Sequence, residues 1–187
     1  MIRAFFKELA EKENGKLYFQ DKDVSIGGGV RSPNVIYKLT FDSNDNEFTI
    51  INRTGTSYVG TISCKISKTI QPIAFEINSI SHIKNLFLRK KSRLKIDTDN
   101  ENLRFFIENN PNYKRLSKIA DKENFSPIIT CELDDNWNII SKYHLEFDDW
   151  TQVVEPTIEL IKNLISEFEK RIANISNKAY REMNWKK

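Results

Sequence analysis

The residues of this chain that could carry out chemistry are few and far apart. The sequence contains two histidines, His82 and His144, and two cysteines, Cys64 and Cys131. A catalytic dyad or a zinc site requires such groups in short-spaced pairs, and these four residues do not form such pairs. The spacing therefore predicts no catalytic constellation, no metal site and no bound cofactor.

Carboxylates are more closely grouped along the chain. The group comprises Glu132, Asp134, Asp135, Glu146, Asp148 and Asp149. A nuclease-type magnesium site would require a lysine about two residues after the second carboxylate, and none follows Asp134 at that distance. We therefore assign these side chains to a turn and to the start of a helix, with hydrolysis as the minor alternative.

The basic segment at residues 84–95 is the strongest candidate for a binding function. Its positive charges are Lys84, Arg89, Lys90, Lys91, Arg93 and Lys95. Phosphates, acidic proteins and anionic lipid head groups would all respond to the resulting potential. The alternative is structural, because basic side chains at a helix C-terminus stabilise the helix dipole. We favour a surface role, since four charges at 89–93 exceed what one helix end needs.

A second candidate anion site is the stretch of three consecutive glycines. Gly27, Gly28 and Gly29 are followed by Arg31, and consecutive glycines allow backbone amides to converge on an anion. The stretch lacks the Gly-Lys-Ser/Thr ending of a phosphate loop and the spacing of a dinucleotide-binding fingerprint. We therefore interpret residues 24–34 as a flexible connection, with a candidate anion loop as the alternative.

The totals predict a single α+β domain spanning residues 1–187. Hydrophobic residues make up 39% of the chain, while 6 glycines and 5 prolines leave little room for long irregular loops. An amphipathic helix is predicted at residues 1–14, because charges interrupt its apolar residues as they would not in a secretion signal. We expect a cytoplasmic protein with no membrane span, both thiols buried and reduced, and a Cys64–Cys131 disulfide as the alternative.

The period of the apolar residues predicts the sheet. Alternation with period two marks runs at residues 35–41, 48–51, 58–66 and 73–77, which predicts an antiparallel meander within residues 16–78, beginning with a short strand at 16–20. A second hairpin is predicted at residues 126–147, with its turn at 134–136.

Helical spacing marks a central block at residues 79–122 and a long helix at 149–180. In the central block we predict a helix at 80–91, a strand at 94–97, a helix capped by Thr98 with Glu101, and a last helix opened by Pro111. The long helix has a broad apolar stripe and is predicted to start with a capping box of Asp149 and Gln152, followed by a short turn before Pro156.

This order of elements predicts an α+β fold in which a curved antiparallel sheet packs on the long C-terminal helix. In outline it resembles helix-grip folds, although no residue motif carries the resemblance. We therefore interpret the chain as a non-catalytic intracellular protein-binding or regulatory domain. The alternative is anion or nucleic-acid binding through residues 84–95, and a third is a helix-grip-like carrier of an apolar ligand. Another protein is the favoured partner, and dimerisation through the C-terminal helix is a further alternative.

Overall fold

An eight-stranded antiparallel sheet forms the centre of the structure. This computed structural model describes residues 2–80, 92–123 and 125–184, with side chains as far as residue 171. The strands are β1 (Lys16–Gly27), β2 (Val30–Ser43), β3 (Asn46–Thr54), β4 (Val59–Lys65), β5 (Phe75–Ser79), β6 (Leu94–Asp97), β7 (Ile128–Leu133) and β8 (Trp137–His144). The helices are α1 (Ile2–Lys12), α2 (Glu101–Asn109), α3 (Pro111–Lys122) and α4 (Val154–Asn184), the last preceded by a 3-10 turn at Trp150–Val153.

The architecture confirms the predicted α+β fold, with a helix at each end of the strand-rich body. Alternate residues are buried on strands β2 to β8, as in the run Tyr37, Leu39 and Phe41 of β2, whereas the edge strand β1 has only exposed and partly buried residues. Period-two burial of this kind means that one face of the sheet is packed and the other is not. None of the helices in the described ranges is long and apolar enough to cross a membrane.

The strand order corrects one part of the predicted meander. Strands β1 to β4 are neighbours in sequence order, but the order then continues β8, β7, β5 and β6. The run at residues 73–77 therefore does not follow β4, and the hairpin of β7 and β8 lies between them. The reason is the length of the pairing: all seven residues of β4 have a register partner in β8, whereas β5 has only five residues.

The three glycines form a tight turn, so the prediction of a flexible connection at residues 24–34 is wrong. Strand β1 runs far beyond the predicted residues 16–20 and is paired with β2 up to Gly27 and Val30. The two residues between them, Gly28 and Gly29, have φ values of +59° and +77°. Two successive left-handed residues close a hairpin with the twist of the strands, and glycine adopts that conformation without steric cost.

The long helix α4 packs its apolar residues into the core, as its stripe predicts. The residues of this helix that are less than about 5% exposed include Ile158, Leu160, Ile161, Leu164, Ile165 and Phe168. They belong to one hydrophobic cluster with the packed face of the sheet, including Phe48 and Ile62, which are fully buried. Burial of a large aliphatic or aromatic side chain contributes about 1.5–3 kcal/mol, so this contact dominates the stability of the fold.

At two helices, the side chains that were predicted to form the N-terminal cap do not form it. The Asp149 side chain accepts no hydrogen bond from a backbone amide and instead accepts one from Thr151 Oγ1 at 2.6 Å. The short turn predicted before Pro156 is confirmed, and within this 3-10 turn Gln152 N donates to Asp149 O at 3.3 Å, so the amide that the capping box would use has a backbone partner. At α2 the cap is Asn100, whose Oδ1 accepts from Leu103 N at 2.9 Å, while Thr98 Oγ1 donates to Ala74 O.

The two cysteines are buried and reduced, as predicted. Cys64 on β4 and Cys131 on β7 are both register partners of Ile139 on β8, so one whole strand separates them. Two strand spacings amount to about 10 Å between Cα atoms, beyond the reach of a disulfide. The disulfide alternative is therefore incompatible with this sheet.

The buried face of α4 gives a first prediction. Ile161→Asp should abolish soluble expression, as should Ile165→Asp, because an unpaired carboxylate in the core costs a large part of a total stability of about 5–15 kcal/mol. Lys170→Asp is the matched control, since it places the same charge on an exposed position of the same helix. Soluble yield and thermal melting are the measurements, and a wild-type melting temperature in both core variants would contradict the packing described here.

Candidate binding surfaces

Arg93 was predicted to lie on a binding surface, and the structure shows that it is buried. Its exposed fraction is 3%. The guanidinium donates hydrogen bonds to the carbonyl oxygens of Ile80 (3.1 Å), Ala120 and Glu123 (3.3 Å), and to Ser126 Oγ (3.3 Å). Backbone carbonyls at a helix C-terminus lack helical donors, and a guanidinium with five N–H groups can bind several of them at once. The surface prediction is therefore wrong for this residue.

Arg93, the residue before β6, is also joined to Ile80, the residue after β5. Ile80 N donates to Arg93 O at 2.8 Å, and Arg93 Nε donates back to Ile80 O. The backbone of Arg93 further donates to Asp121 Oδ1 at 2.9 Å. The chain therefore leaves β5 and returns to β6 at a fixed point against the end of α3.

Of the other basic side chains in the segment 84–95, the structure describes only that of Lys95. Lys95 is exposed on β6 and forms an ion pair with Asp97 at 2.9 Å. Its hydrogen bond to Asp97 lowers the pKa of that carboxyl, and the charge of Lys95 acts in the same direction. The predicted site residues Lys84, Arg89, Lys90 and Lys91 lie outside the described residues, as do His82 and all of the predicted helix at 80–91 except Ile80.

The contacts of Arg93 give a second prediction. Arg93→Gln should lower the free energy of unfolding by about 3 kcal/mol or more, because several buried carbonyls would lose their donors. Lys95→Gln removes a neighbouring positive charge whose partner is exposed to water, so stability should hardly change. Urea denaturation of both variants makes the comparison, and equal stability of the two would contradict a structural role for Arg93.

The glycines and Arg31 lie at the tip of an exposed hairpin arm formed by β1 and β2. Strand β3 pairs with β2 only as far as Val35, so the hairpin beyond that point has two strands. No atom lies within 4 Å of the position that a Cβ would take on Gly27, Gly28 or Gly29. The tip therefore faces open space, and the use of these residues to bind an anion stays a prediction.

The base of this arm is held by the turn after β3. Gly55 has φ +106°, and a Cβ there would lie 1.7 Å from Pro33 O. Thr56 Oγ1 donates to Asn34 Oδ1 at 3.2 Å. These contacts fix the direction of the arm, while Ile26 and Val30 near its tip remain more than half exposed.

The face of the sheet that does not pack on the core is here called the uncovered face. Its side chains form rows that run across the strands. Register pairs align one residue from every strand across its middle: Tyr18, Lys38, Ile51, Thr61, Lys142, Ile128, Asn78 and Lys95. The adjacent row has hydroxyl and aliphatic side chains in its central strands and charged ones on the outer strands: Lys16, Thr40, Thr49, Ser63, Ile140, Thr130, Glu76 and Asp97. The centre of the face is therefore aliphatic and hydroxyl-rich, and no described helix covers it.

Charge is unevenly distributed over the uncovered face. Lys38 and Lys142 lie in the middle row and Arg53 lies one row nearer the hairpin arm, and none of these three has an ion pair among the residues that the structure describes. Lys38 and Lys142 are separated by three strand spacings, which is roughly 14 Å. The row at the opposite end has three acidic side chains and one basic one: Asp42, Glu47, Lys65, Asn138 and Glu132.

A second basic surface was missed in the sequence and lies on α3. Lys114, Lys118 and Lys122 recur every four residues, with Arg115 beside them, and all four are exposed. The opposite side of the helix buries Tyr113, Leu116, Ile119 and Ala120. The spacing of the lysines could have predicted this surface, because residues i and i+4 share one face of a helix. The prediction of this helix used that spacing only for the apolar residues.

The titratable groups of the core are held in their neutral forms. Burial raises the pKa of Cys64 and of Cys131 to about 12. Burial also raises the pKa of Tyr113 to about 12. Burial raises the pKa of Tyr143 above its usual range as well, and the hydroxyl of Tyr143 donates to Asn52 Oδ1 at 3.2 Å. A protonated, inaccessible thiol is a poor nucleophile.

The buried thiols give a third prediction. Native protein should react slowly with a thiol reagent at mildly alkaline pH, and urea-unfolded protein quickly, with a mass that shows two free thiols. Since both pKa values are higher in the folded state than in the unfolded one, the contribution of the two thiols to stability should be constant below about pH 8 and fall as pH rises towards 12, by up to about 1.4 kcal/mol per pH unit and thiol. Lys114→Cys supplies an exposed thiol as the control. Fast labelling of Cys64 or Cys131 in folded protein would contradict this.

The surface depressions among the described residues are open to solvent. One of about 560 Å³ is lined mostly by polar residues that include Asp42, Asp45, Glu47 and Lys65. Over the described ranges, no group of three or more His, Cys, Asp or Glu side chains could hold a metal ion. Between sheet and helix, the fully buried Phe6, Phe48 and Phe168 belong to the same packed core, so this region gives no support to an apolar-ligand carrier.

Comparison with known proteins yields no match: no family model, no curated protein and no solved structure is similar to this chain.

Proposed function

We propose that this chain is a non-catalytic intracellular protein-binding domain whose uncovered sheet face docks an acidic protein surface. The observation that carries the proposal is the three cations Lys38, Arg53 and Lys142, which lie without ion pairs around an aliphatic and hydroxyl-rich centre. An apolar centre with charges at its margin is the usual composition of a protein interface.

The apolar part of the face supplies the contact area. Val59 and Ile128 are 37% and 52% exposed, and Ile36, Ile51 and Ile140 are partly exposed beside them. These residues are β-branched and therefore already restricted at χ1, so few rotamers are lost when a partner covers them. Burial of this surface therefore stabilises a complex at a low entropic cost.

The charges supply orientation and specificity. Three unpaired cations attract an acidic surface and steer its approach, and this attraction weakens as salt is added. Asp42 and Glu47 at the other end of the face repel the same partner and so fix which way round it binds. A protein is favoured over single-stranded nucleic acid, because stacking on bases requires aromatic side chains and the described part of this face offers only Tyr18, at its edge.

Site-specific photo-crosslinking in cells gives a fourth prediction. A crosslinking residue in place of Thr61, at the centre of the face, should capture an acidic protein, identified by mass spectrometry. The variant K38Q/R53Q/K142Q should lose this adduct, because the affinity should fall at least about tenfold while the fold is unchanged.

The charge-matched control is K114Q/R115Q/K118Q, which removes two lysines and one arginine from α3 and should keep the adduct. Equal capture in both triple variants would contradict the role of the sheet face. Capture of nucleic acid at Thr61 would contradict the choice of partner.

A further inference from the structure

The exposed side of α3 is strongly basic and is separate from the proposed protein-binding face of the sheet. Lys114, Arg115, Lys118 and Lys122 occupy about a third of the helix circumference, since successive residues are rotated by about 100°. None of them has an ion pair with a residue that the structure describes. The four charges therefore lie close together with no compensating carboxylate contact.

One carboxylate, Asp121, lies at the border of this basic side of α3. Its Oδ1 accepts the hydrogen bond from Arg93 N at 2.9 Å, so the group is engaged by the backbone at the point where the chain enters β6. Next to it, Ser117 Oγ lies 2.6 Å from Ser92 Oγ. The carboxylate of Asp121 is thus turned towards the start of β6, at the edge of the basic side of α3.

The helix is held at both ends and at its middle. Asn110 Oδ1 accepts from Asn112 N at 2.9 Å, Tyr113 OH donates to Leu94 O at 3.2 Å, and Arg93 donates to Ala120 O near the last turn. These contacts lock the orientation of the basic side without using any of its four cations. Because the helix itself is already held, binding to a regular array of anions orders the four side chains but not the backbone that carries them.

We propose that this side of α3 binds the phosphodiester backbone of duplex nucleic acid without reading its sequence. Lys114, Lys118 and Lys122 rise by about 6 Å per step along the helix and point to the same side, so they contact successive phosphates rather than base edges. Sequence is read by side chains that match base edges in a groove, and a row of lysines on one exposed helix face does not supply that match. The proposal is independent of the sheet-face function.

Two other polyanions fit this side of α3 less well. An amphipathic helix that lies on an anionic membrane needs apolar residues beside its basic ones, and the exposed side of α3 has Pro111 as its one apolar residue. Single-stranded nucleic acid is bound by stacking on aromatic rings, and the aromatic ring of this helix, Tyr113, is buried. The duplex backbone is the ligand that requires cations alone.

Fluorescence anisotropy with a labelled DNA duplex and with the matching RNA duplex tests the proposal. The intact protein should bind both, and the logarithm of the binding constant should fall linearly with the logarithm of the salt concentration. K114Q/R115Q/K118Q should weaken binding and make this slope less steep by about 2.7, which corresponds to three lost phosphate contacts.

K38Q/R53Q/K142Q is the control, because it removes the same charge from the sheet face and should leave the slope unchanged. Equal losses in the two variants would show an effect of net charge alone and overturn the proposal. Absence of duplex binding would also overturn it, as would binding to vesicles of anionic lipid in preference to both duplexes. Melting temperatures of both variants, measured in parallel, should match that of the intact protein, since all six side chains are exposed.

Discussion

Burial of α4 is the constraint on which the rest of the structure depends. Its first half is apolar around most of its circumference, so a sheet on one side is not enough to remove it from water. Helix α1 lies against it through ion pairs of Lys162 with Glu13 and of Lys12 with Glu155, while α3 packs beside it. The sheet therefore has one face packed against helices, while no described helix covers the other.

The parts of this fold that the sequence predicts are those with a long, regular period. The six-turn stripe of α4 and the alternation through β2, β3 and β4 extend over many residues, so single exceptions do not change the outcome. The parts that were missed depend on partners distant in sequence. The burial of Arg93 is set by carbonyls of Ala120 and Glu123, and the insertion of β7 and β8 beside β4 is a choice among pairings that local pattern does not distinguish.

The functional prediction was limited in the same way. Local density of charge drew attention to residues 84–95, yet one of those cations is used inside the protein and another is paired with a neighbour on the surface. The cations proposed here as binding groups are spread over three strands in one case and over two helical turns in the other. Folding of the sheet brings the first set together, whereas the second set is a local helical pattern that the charge density of residues 84–95 obscured. Two surfaces with different chemistry, one partly apolar and one purely cationic, are compatible with a domain that holds a protein and a nucleic acid at once.

The place of β8 in the sheet also affects how the protein is made. Asn52 and Tyr143, joined by a buried hydrogen bond, are 91 residues apart in the chain, and β4 obtains its second neighbour only when β8 arrives. During synthesis at about 5–20 residues per second, the edge of β4 stays unpaired for on the order of ten seconds after it leaves the ribosome. An unpaired edge with alternating apolar residues is a template for association between nascent chains. Folding of the sheet is thus a late event, controlled by the most distant pairing, and the half-made domain is the stage at which a chaperone would matter most.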